Sequence, residues 1–233
     1  MQAALITGGS KGLGLALARN LAADGWNVVI DGRDAAVLAE AVAELQAAAQ
    51  GQVVRGIAGD VADPAHRTAL VDAVTELGRL DLLVNNASTL GPSPQPRLAD
   101  YPLADYERVL AVNLVAPLAL LQATLPLLRS SNGTIVNVTS DAGVEGYDGW
   151  GGYGSSKAGL EQLSNVLAAE EADLRVYWFD PGDMRTEMHQ AAFPGEDISD
   201  RPPPETVVPS LRRLIDDARP SGRYRASELE VET

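Results

Sequence analysis

The sequence predicts an α/β protein, a doubly wound, mainly parallel sheet of about seven strands with helices on both faces. Three observations carry this expectation. Short apolar runs alternate with longer helical patterns from the first residues to beyond residue 180. The runs are continuously apolar rather than alternating, as strands covered on both faces should be. Strand–helix repetition of this kind requires right-handed crossovers, which stack parallel strands between two helix layers.

The elements follow in order. "AALI" (3–6) reads as the first strand, and the glycines behind it lead into "LGLALARNLAADG", a helix ended by Gly25. "NVVI" (27–30) precedes "DAAVLAEAVAELQAAAQG", where Asp34 suits an N-cap and Val37, Ala41, Leu45 and Ala48 draw an apolar stripe. "QVVRGIA" (52–58) leads to a helix from Pro64 to Leu77, with Asp63 as cap and Pro64 in the first turn. "LDLLVNNA" (80–87) precedes a proline-rich loop (91–96) and one long helix over about 102–128. "GTIVNVTS" (133–140) leads through glycines to a helix carrying Tyr153, and "LRVYWFD" (174–180) ends at Pro181. Beyond a proline- and acid-rich stretch (193–205), Val207, Val208, Leu211, Leu214 and Ile215 recur at helical spacing, and "GRYRA" (222–226) supplies a last edge strand. The expectation is a single domain over 1–233, with a mobile substrate loop at about 187–204 and a short frayed tail at 227–233.

Composition narrows the chemistry. At 233 residues, 45% apolar and 21% charged, the chain has the make-up of an ordinary globule with a sizeable core. It has no cysteine, which removes disulfides, thiolate catalysis and cysteine-ligated zinc. With only His66 and His189, no metal site is expected. A net charge of −14 would repel a phosphate backbone, so no nucleic-acid partner is expected. No apolar run was expected to reach the roughly 18–20 residues that span a bilayer, and "AALI" reads as a strand rather than a signal segment. The expectation is therefore a cytoplasmic protein without a membrane partner.

Two local patterns carry the chemistry. "LITGGSKGLGLALA" places Gly8, Gly12 and Gly14 between the first strand and first helix. Glycine there lets the backbone approach a pyrophosphate held by the helix N-terminus. The same stretch formally matches the G-x-S-x-G nucleophile elbow at Ser10, but only seven residues precede Gly8, too few for the strands that elbow needs. The second pattern, "GWGGYGSSKAGLEQL", puts Tyr153 four positions before Lys157. On a helix, such residues share a face, with Cβ atoms about 5–6 Å apart. A cation so placed favours the phenolate and lowers a tyrosine pKa of about 10. Taken alone, the pair is more simply a surface tyrosine packed under a lysine stem.

Several motifs in fixed order decide between them. "TGGSKGLG" (7–14), "DV" (60–61), "NNAS" (85–88), Asn113 in "AVNLVAP", Ser140 closing "IVNVTS", "YGSSK" (153–157) and "PGDMRT" (181–186) together resemble the short-chain dehydrogenase/reductases, in their short single-domain branch, over residues 1 to about 190. That resemblance implies a Rossmann-like fold and hydride transfer between a nicotinamide and a carbonyl/alcohol pair. It implies that Tyr153 exchanges the proton, Lys157 tunes it and holds the nicotinamide ribose, Ser140 bonds the substrate oxygen, and Asn113 holds a water relay to Lys157. It further implies cofactor contacts from Gly8, Ser10, Lys11, Gly12, Leu13, Gly14, Asp60, Val61, Asn86, Ala87, Pro181, Gly182 and Thr186, besides Tyr153 and Lys157. Asp141 and Ser88 depart from the usual pattern, and the C-terminus lacks the family's closing glycine pair.

The resemblance puts the acid of NAD-binding members at Gly32, between Asp31 and Arg33. Arg33 suits a 2′-phosphate, and Lys11 stands where NADP-using members carry a basic residue. These two cations favour NADP(H); NAD(H) remains open if Asp31 turns to the ribose. A non-catalytic dinucleotide-binding regulatory protein is the alternative function. Pairing through the long helices, about 102–128 and 153–171, implies a homodimer or homotetramer.

Overall fold

The computed structural model describes residues 1–229. Seven parallel strands form one sheet in the order β3-β2-β1-β4-β5-β6-β7. They are β1 Ala3–Ile6, β2 Asn27–Gly32, β3 Val54–Ala58, β4 Leu82–Asn85, β5 Thr134–Val138, β6 Arg175–Asp180 and β7 Gly222–Arg225. Every residue of β1, β2, β4 and β5 is buried, which is why these strands read as unbroken apolar runs. The edge strand β3 shows only partial burial along its length.

The helices are α1 Gly12–Ala23, α2 Ala35–Ala48, α3 Pro64–Glu76, α4 Leu103–Leu110, α5 Ala116–Ser131, α6 Gly151–Glu170, α7 Glu187–Ala192 and α8 Val208–Asp216. One face of the sheet packs Ile6, Ile30 and Val84 against Leu17, Leu21, Leu38 and Leu211 of α1, α2 and α8. The other packs Leu5, Leu83 and Ile135 against Leu70, Leu120 and Leu167 of α3, α5 and α6. Asp34 accepts from Ala36 N and Val37 N, and Asp63 from Ala65 N, as their capping positions predict.

Three expectations change. The buried stripe of α2 is Leu38, Ala41 and Leu45, not the set beginning at Val37, which is 38% exposed. An alanine-rich helix admits both registers, and Val37 instead borders the cleft described below. The long helix is interrupted by a π turn, Ala111–Val115, in which the Ala116 amide donates to the carbonyl five residues back, on Ala111. Pro117 has no N–H for the Asn113 carbonyl, so the regular α ladder cannot run through this point. Finally, α4, the π turn and α5 together form a 29-residue helix whose most apolar stretch reaches a mean hydropathy of 1.8, long and apolar enough to cross a membrane on composition. The sequence reading had found no such run; here Leu120, Leu121 and Leu128 of that helix lie in the sheet's core.

Within the segment expected to be a mobile loop, Thr186 caps α7 by accepting from His189 N at 3.2 Å. Of the tail, Ala226–Glu228 forms a 3₁₀ turn and Leu229 is buried, while residues 230–233 lie outside the described residues.

Candidate active site

Strand order reverses between β1 and β4, and a cleft opens beyond their carboxyl ends, where doubly wound sheets bind ligands. Its volume is about 1020 Å³. The glycine turn forms its floor. Thr7 Oγ1 accepts from the Asn86 and Ala87 amides at 3.1 and 3.0 Å, and Asn86 Nδ2 donates to the Thr7 and Gly8 carbonyls at 2.9 and 3.1 Å. The "NNAS" segment thereby latches the end of β4 to the end of β1. Gly8 and Gly12 hold φ of +65° and +58°, which side-chain-bearing residues rarely adopt. A Cβ on Gly14 would stand 2.5 Å from the Gly8 carbonyl oxygen, so Gly14 serves close packing behind the turn rather than the cleft wall. Lys11 occupies the N-cap of α1 and offers no side-chain acceptor to its first amides. A bare backbone turn at an uncapped helix N-terminus fits a pyrophosphate.

At one end of the cleft lie Gly32, Arg33, Asp60 and Val61. A Cβ on Gly32 would meet Ser10 Oγ at 2.6 Å, so no acid can stand there without displacing Ser10. Asp31, at 1% exposure, borders the cleft but has its carboxylate engaged: it accepts from the Gly8 amide at 2.6 Å and lies 2.9 Å from His66 Nε2. Burial pushes the Asp60 carboxyl up, but the Ala62 amide, the Arg108 guanidinium and the nearby Arg33 charge together hold it below the usual carboxylate value. Exposed Lys11 pairs with Glu187 at the start of α7. Such a surface pair contributes only about 0–1 kcal/mol and leaves the ammonium exchangeable. Arg33 has no ion-pair partner among the described residues.

At the other end, Ser140 stands two residues beyond the end of β5, and α6 carries Tyr153 and Lys157. The Tyr153 side chain is packed with Leu90, Ala142 and Trp150, yet its residue borders the cleft. Gly154 allows this approach, since a Cβ there would lie 2.6 Å from the Ala142 carbonyl. Lys157, 2% exposed, donates from Nζ to the Val138 carbonyl at 2.8 Å, and Nζ sits 5.4 Å from the Tyr153 ring centre. Burial pushes the Tyr153 hydroxyl well above its ordinary value; the Ser88 and Ser140 hydroxyls oppose this, and the Asp180 and Asp141 charges reinforce it. The expected lowering by Lys157 is therefore reversed. Desolvation is the largest influence on the hydroxyl, and the same burial pulls Lys157 itself down to about 8.

Ser140 Oγ donates to Asp141 Oδ1 at 2.8 Å, and Tyr147 donates to Asp141 Oδ2 at 3.0 Å. That bond to Asp141 is the largest of the influences pushing the Tyr147 hydroxyl up to about 12. Beneath Ser140 lies a network that the sequence did not disclose. Arg223 of β7 donates to Glu161 at 3.0 Å and Asp180 at 3.0 Å, and Thr139 also donates to Glu161, at 2.8 Å.

Of the candidate residues, Gly8, Ser10, Lys11, Gly12, Leu13, Arg33, Asp60, Val61, Asn86, Ala87, Ser140, Tyr153, Lys157, Pro181, Gly182 and Thr186 line this one cleft, whereas Gly14 and Asn113 do not. Asn113 is 1% exposed, and its side chain is taken up locally. Nδ2 donates to the Thr89 carbonyl at 2.9 Å and to Ser156 Oγ at 3.0 Å, while Oδ1 accepts from the Thr89 amide at 2.9 Å. It thus joins the loop over the cleft to the helix of Tyr153. Ser88, whose only sequence signal is its departure from the family's usual pattern, lies beside the Tyr153 hydroxyl.

Known proteins align with this arrangement. The sequence profile of the short chain dehydrogenases matches residues 2–197. Sepiapterin reductase of Mus musculus is 36% identical over 199 residues, covering 81% of this chain and 76% of the relative. The rhamnolipid-biosynthesis 3-oxoacyl-[acyl-carrier-protein] reductase of Pseudomonas aeruginosa is 38% identical over 175 residues, 72% of this chain and 66% of that protein. Among solved structures, a short chain dehydrogenase of Shigella flexneri complexed with NADP superposes with a TM-score of 0.89 at 30% identity, over 97% of both chains. An alcohol dehydrogenase of the archaeon Thermococcus sibiricus, complexed with 5-hydroxy-NADP, gives 0.86 at 28% identity, over 97% of this chain and 95% of that one. With its seven-stranded parallel sheet, its matching profile and these relatives, the chain belongs to the short-chain dehydrogenase/reductase family of oxidoreductases.

Proposed function

We propose that the protein is an NADP(H)-dependent oxidoreductase that interconverts a carbonyl and an alcohol, with Tyr153 exchanging the proton. One observation carries the reading: the cleft that holds the glycine turn also holds the Tyr153 hydroxyl, flanked by Ser88 and Ser140. The nicotinamide, when bound, supplies or accepts the hydride. The residues do the rest. Held high by burial, the Tyr153 phenol stays protonated at neutral pH, the form that gives a proton to a nascent alkoxide. Ser140 turns its hydroxyl from Asp141 to the substrate oxygen and stabilises charge developing there. Lys157 places a cation under the phenol, so the phenolate left after proton transfer is not alone in a dry site. Asn113 acts by position, fixing the Thr89 loop against α6 through Ser156.

NADP(H) is favoured over NAD(H) because Gly32 cannot host a ribose-binding acid while Arg33 is unpaired among the described residues. NADP in the Shigella and Thermococcus structures supports the same choice. Tyr147, Trp150 and Phe193 line the outer cleft, a surface suited to a small organic carbonyl compound. Val115, Leu118 and Val166, exposed at 52%, 38% and 44% on the π turn, α5 and α6, support assembly as a homodimer or homotetramer. We assign the protein to the cytoplasm, without a nucleic-acid or membrane partner; its net charge of −14 supports the exclusion of nucleic acid. The test is NADPH consumption over a panel of aldehydes and ketones, with NADPH and NADH titrated in parallel. Turnover with an NADPH preference is expected. Tight nucleotide binding with no turnover on any carbonyl would favour the regulatory reading instead.

A further inference from the structure

A buried acid–histidine pair lies directly under the cofactor turn and takes no part in the chemistry above. Asp31 stands one residue before the end of β2 and borders the cleft next to Gly32 and Arg33. Both of its oxygens are occupied: Oδ1 by the Gly8 amide at 2.6 Å, Oδ2 by His66 Nε2 at 2.9 Å. A carboxylate only accepts, so Nε2 carries the proton. The histidine comes from the first turn of α3 and is 7% exposed. Its ring fits only because residue 59 is glycine; a Cβ there would collide with Nδ1.

The other acids beside Arg33 are engaged as well. Asp34 caps α2 through the Ala36 and Val37 amides, and Asp60 takes the Ala62 amide and Arg108. Gly32 leaves no room for a further acid. Asp31 is therefore the residue whose orientation sets the charge that meets a 2′ substituent.

We propose that His66 is a cofactor-specificity residue that acts by position: it holds the Asp31 carboxylate beneath the glycine turn, so that no Asp31 charge meets a 2′-phosphate beside Arg33. The inference rests on the reading of the cleft as an NADP(H) site. Without the histidine, Asp31 is a buried carboxylate with half its partners, and such a charge turns toward the nearest donor or solvent. The cleft supplies both. An acid there accepts from a ribose 2′-hydroxyl and repels a 2′-phosphate.

The test compares dissociation constants for NADPH and NADH in the parent, His66→Leu, His66→Gln, Asp31→Ser and the double variant His66→Leu with Asp31→Ser, together with the melting-temperature rise each nucleotide gives. In His66→Leu, NADPH should weaken and NADH tighten, lowering the NADH-to-NADPH ratio of constants about tenfold, the change that one displaced charge produces. His66→Gln keeps a donor and should hold the ratio within about twofold, as should Asp31→Ser; the double variant should restore it. If His66→Leu does not fold, His66→Asn, whose amide is too short to reach Asp31, takes its place. Equal weakening of both nucleotides, or a fallen ratio that Asp31→Ser fails to restore, overturns the inference. A parent that binds neither nucleotide, or prefers NADH, instead refutes the cofactor reading.

Discussion

Replacing Lys157 by Met should make the protein more resistant to denaturation relative to the parent at pH 7 than at pH 9.5. The reasoning starts from burial. Lys157 is 2% exposed, and desolvation pulls its ammonium down to about 8 from an ordinary 10.5. That gap corresponds to about 3 kcal/mol of folding free energy spent on keeping the charge in the protein below pH 8. The sign follows from proton counting. Below pH 8 both folded and unfolded chains hold the proton and the full cost is present. Between pH 8 and 10.5 the unfolded chain still holds it while the folded chain has released it, so stability rises by about 1.4 kcal/mol per pH unit. The parent should therefore gain about 2 kcal/mol on Lys157→Met by pH 9.5. Terms that do not depend on pH, such as the lost bond to the Val138 carbonyl, shift both measurements equally and cancel. Tyr147 and Tyr153, whose hydroxyls lie above the ordinary tyrosine value, keep their protons in this window. Urea denaturation of both proteins without added nucleotide at pH 7 and pH 9.5 gives the four numbers needed. A stability difference that is flat with pH, or that moves toward the variant as pH rises, would refute the claim that the site carries a desolvated cation.

Two further outcomes follow from the same geometry. Arg33→Ala should weaken NADPH binding about tenfold to thirtyfold, the value of one exposed charge-assisted phosphate contact, and leave NADH within about twofold; isothermal titration at two salt concentrations checks both the size and the expected salt sensitivity. Arg223→Ala leaves Asp180 and Glu161, 7% and 14% exposed at their side chains, without their shared partner. It should destabilise the protein by about 3 kcal/mol in urea denaturation while leaving nucleotide affinity per folded molecule unchanged.

Much of the architecture was legible because its causes are local. A buried parallel strand needs an unbroken apolar run, and β1 at Ala3–Ile6 coincides with "AALI" residue for residue. The cleft was legible because its parts sit at strand ends: the glycine turn after β1, Asn86 after β4, Ser140 after β5 and Pro181 after β6 all line one cleft. What escaped reading has non-local causes. Asp31 and His66 are 35 residues apart, and nothing in either neighbourhood marks them as a pair. Arg223 and Glu161 meet across 62 residues, in a stretch read only as an edge strand. The π turn adds one residue to a helical period that a 3.6-residue pattern cannot register, although Pro117 was its local mark. The acidity of Tyr153 was misjudged for a similar reason. Spacing shows that a cation stands one turn away, but the desolvation that raises the hydroxyl depends on Leu90, Ala142 and Trp150, brought in from two other loops.

The measurement that bears most directly on the whole account is Tyr153→Phe, with NADPH affinity and carbonyl-dependent NADPH oxidation recorded on the same sample. Removing a single hydroxyl from a packed ring should leave NADPH affinity within about threefold of the parent while turnover falls by about two to four orders of magnitude, the usual contribution of a positioned proton donor. Turnover that survives the exchange undiminished would contradict the assignment of Tyr153 as the acid.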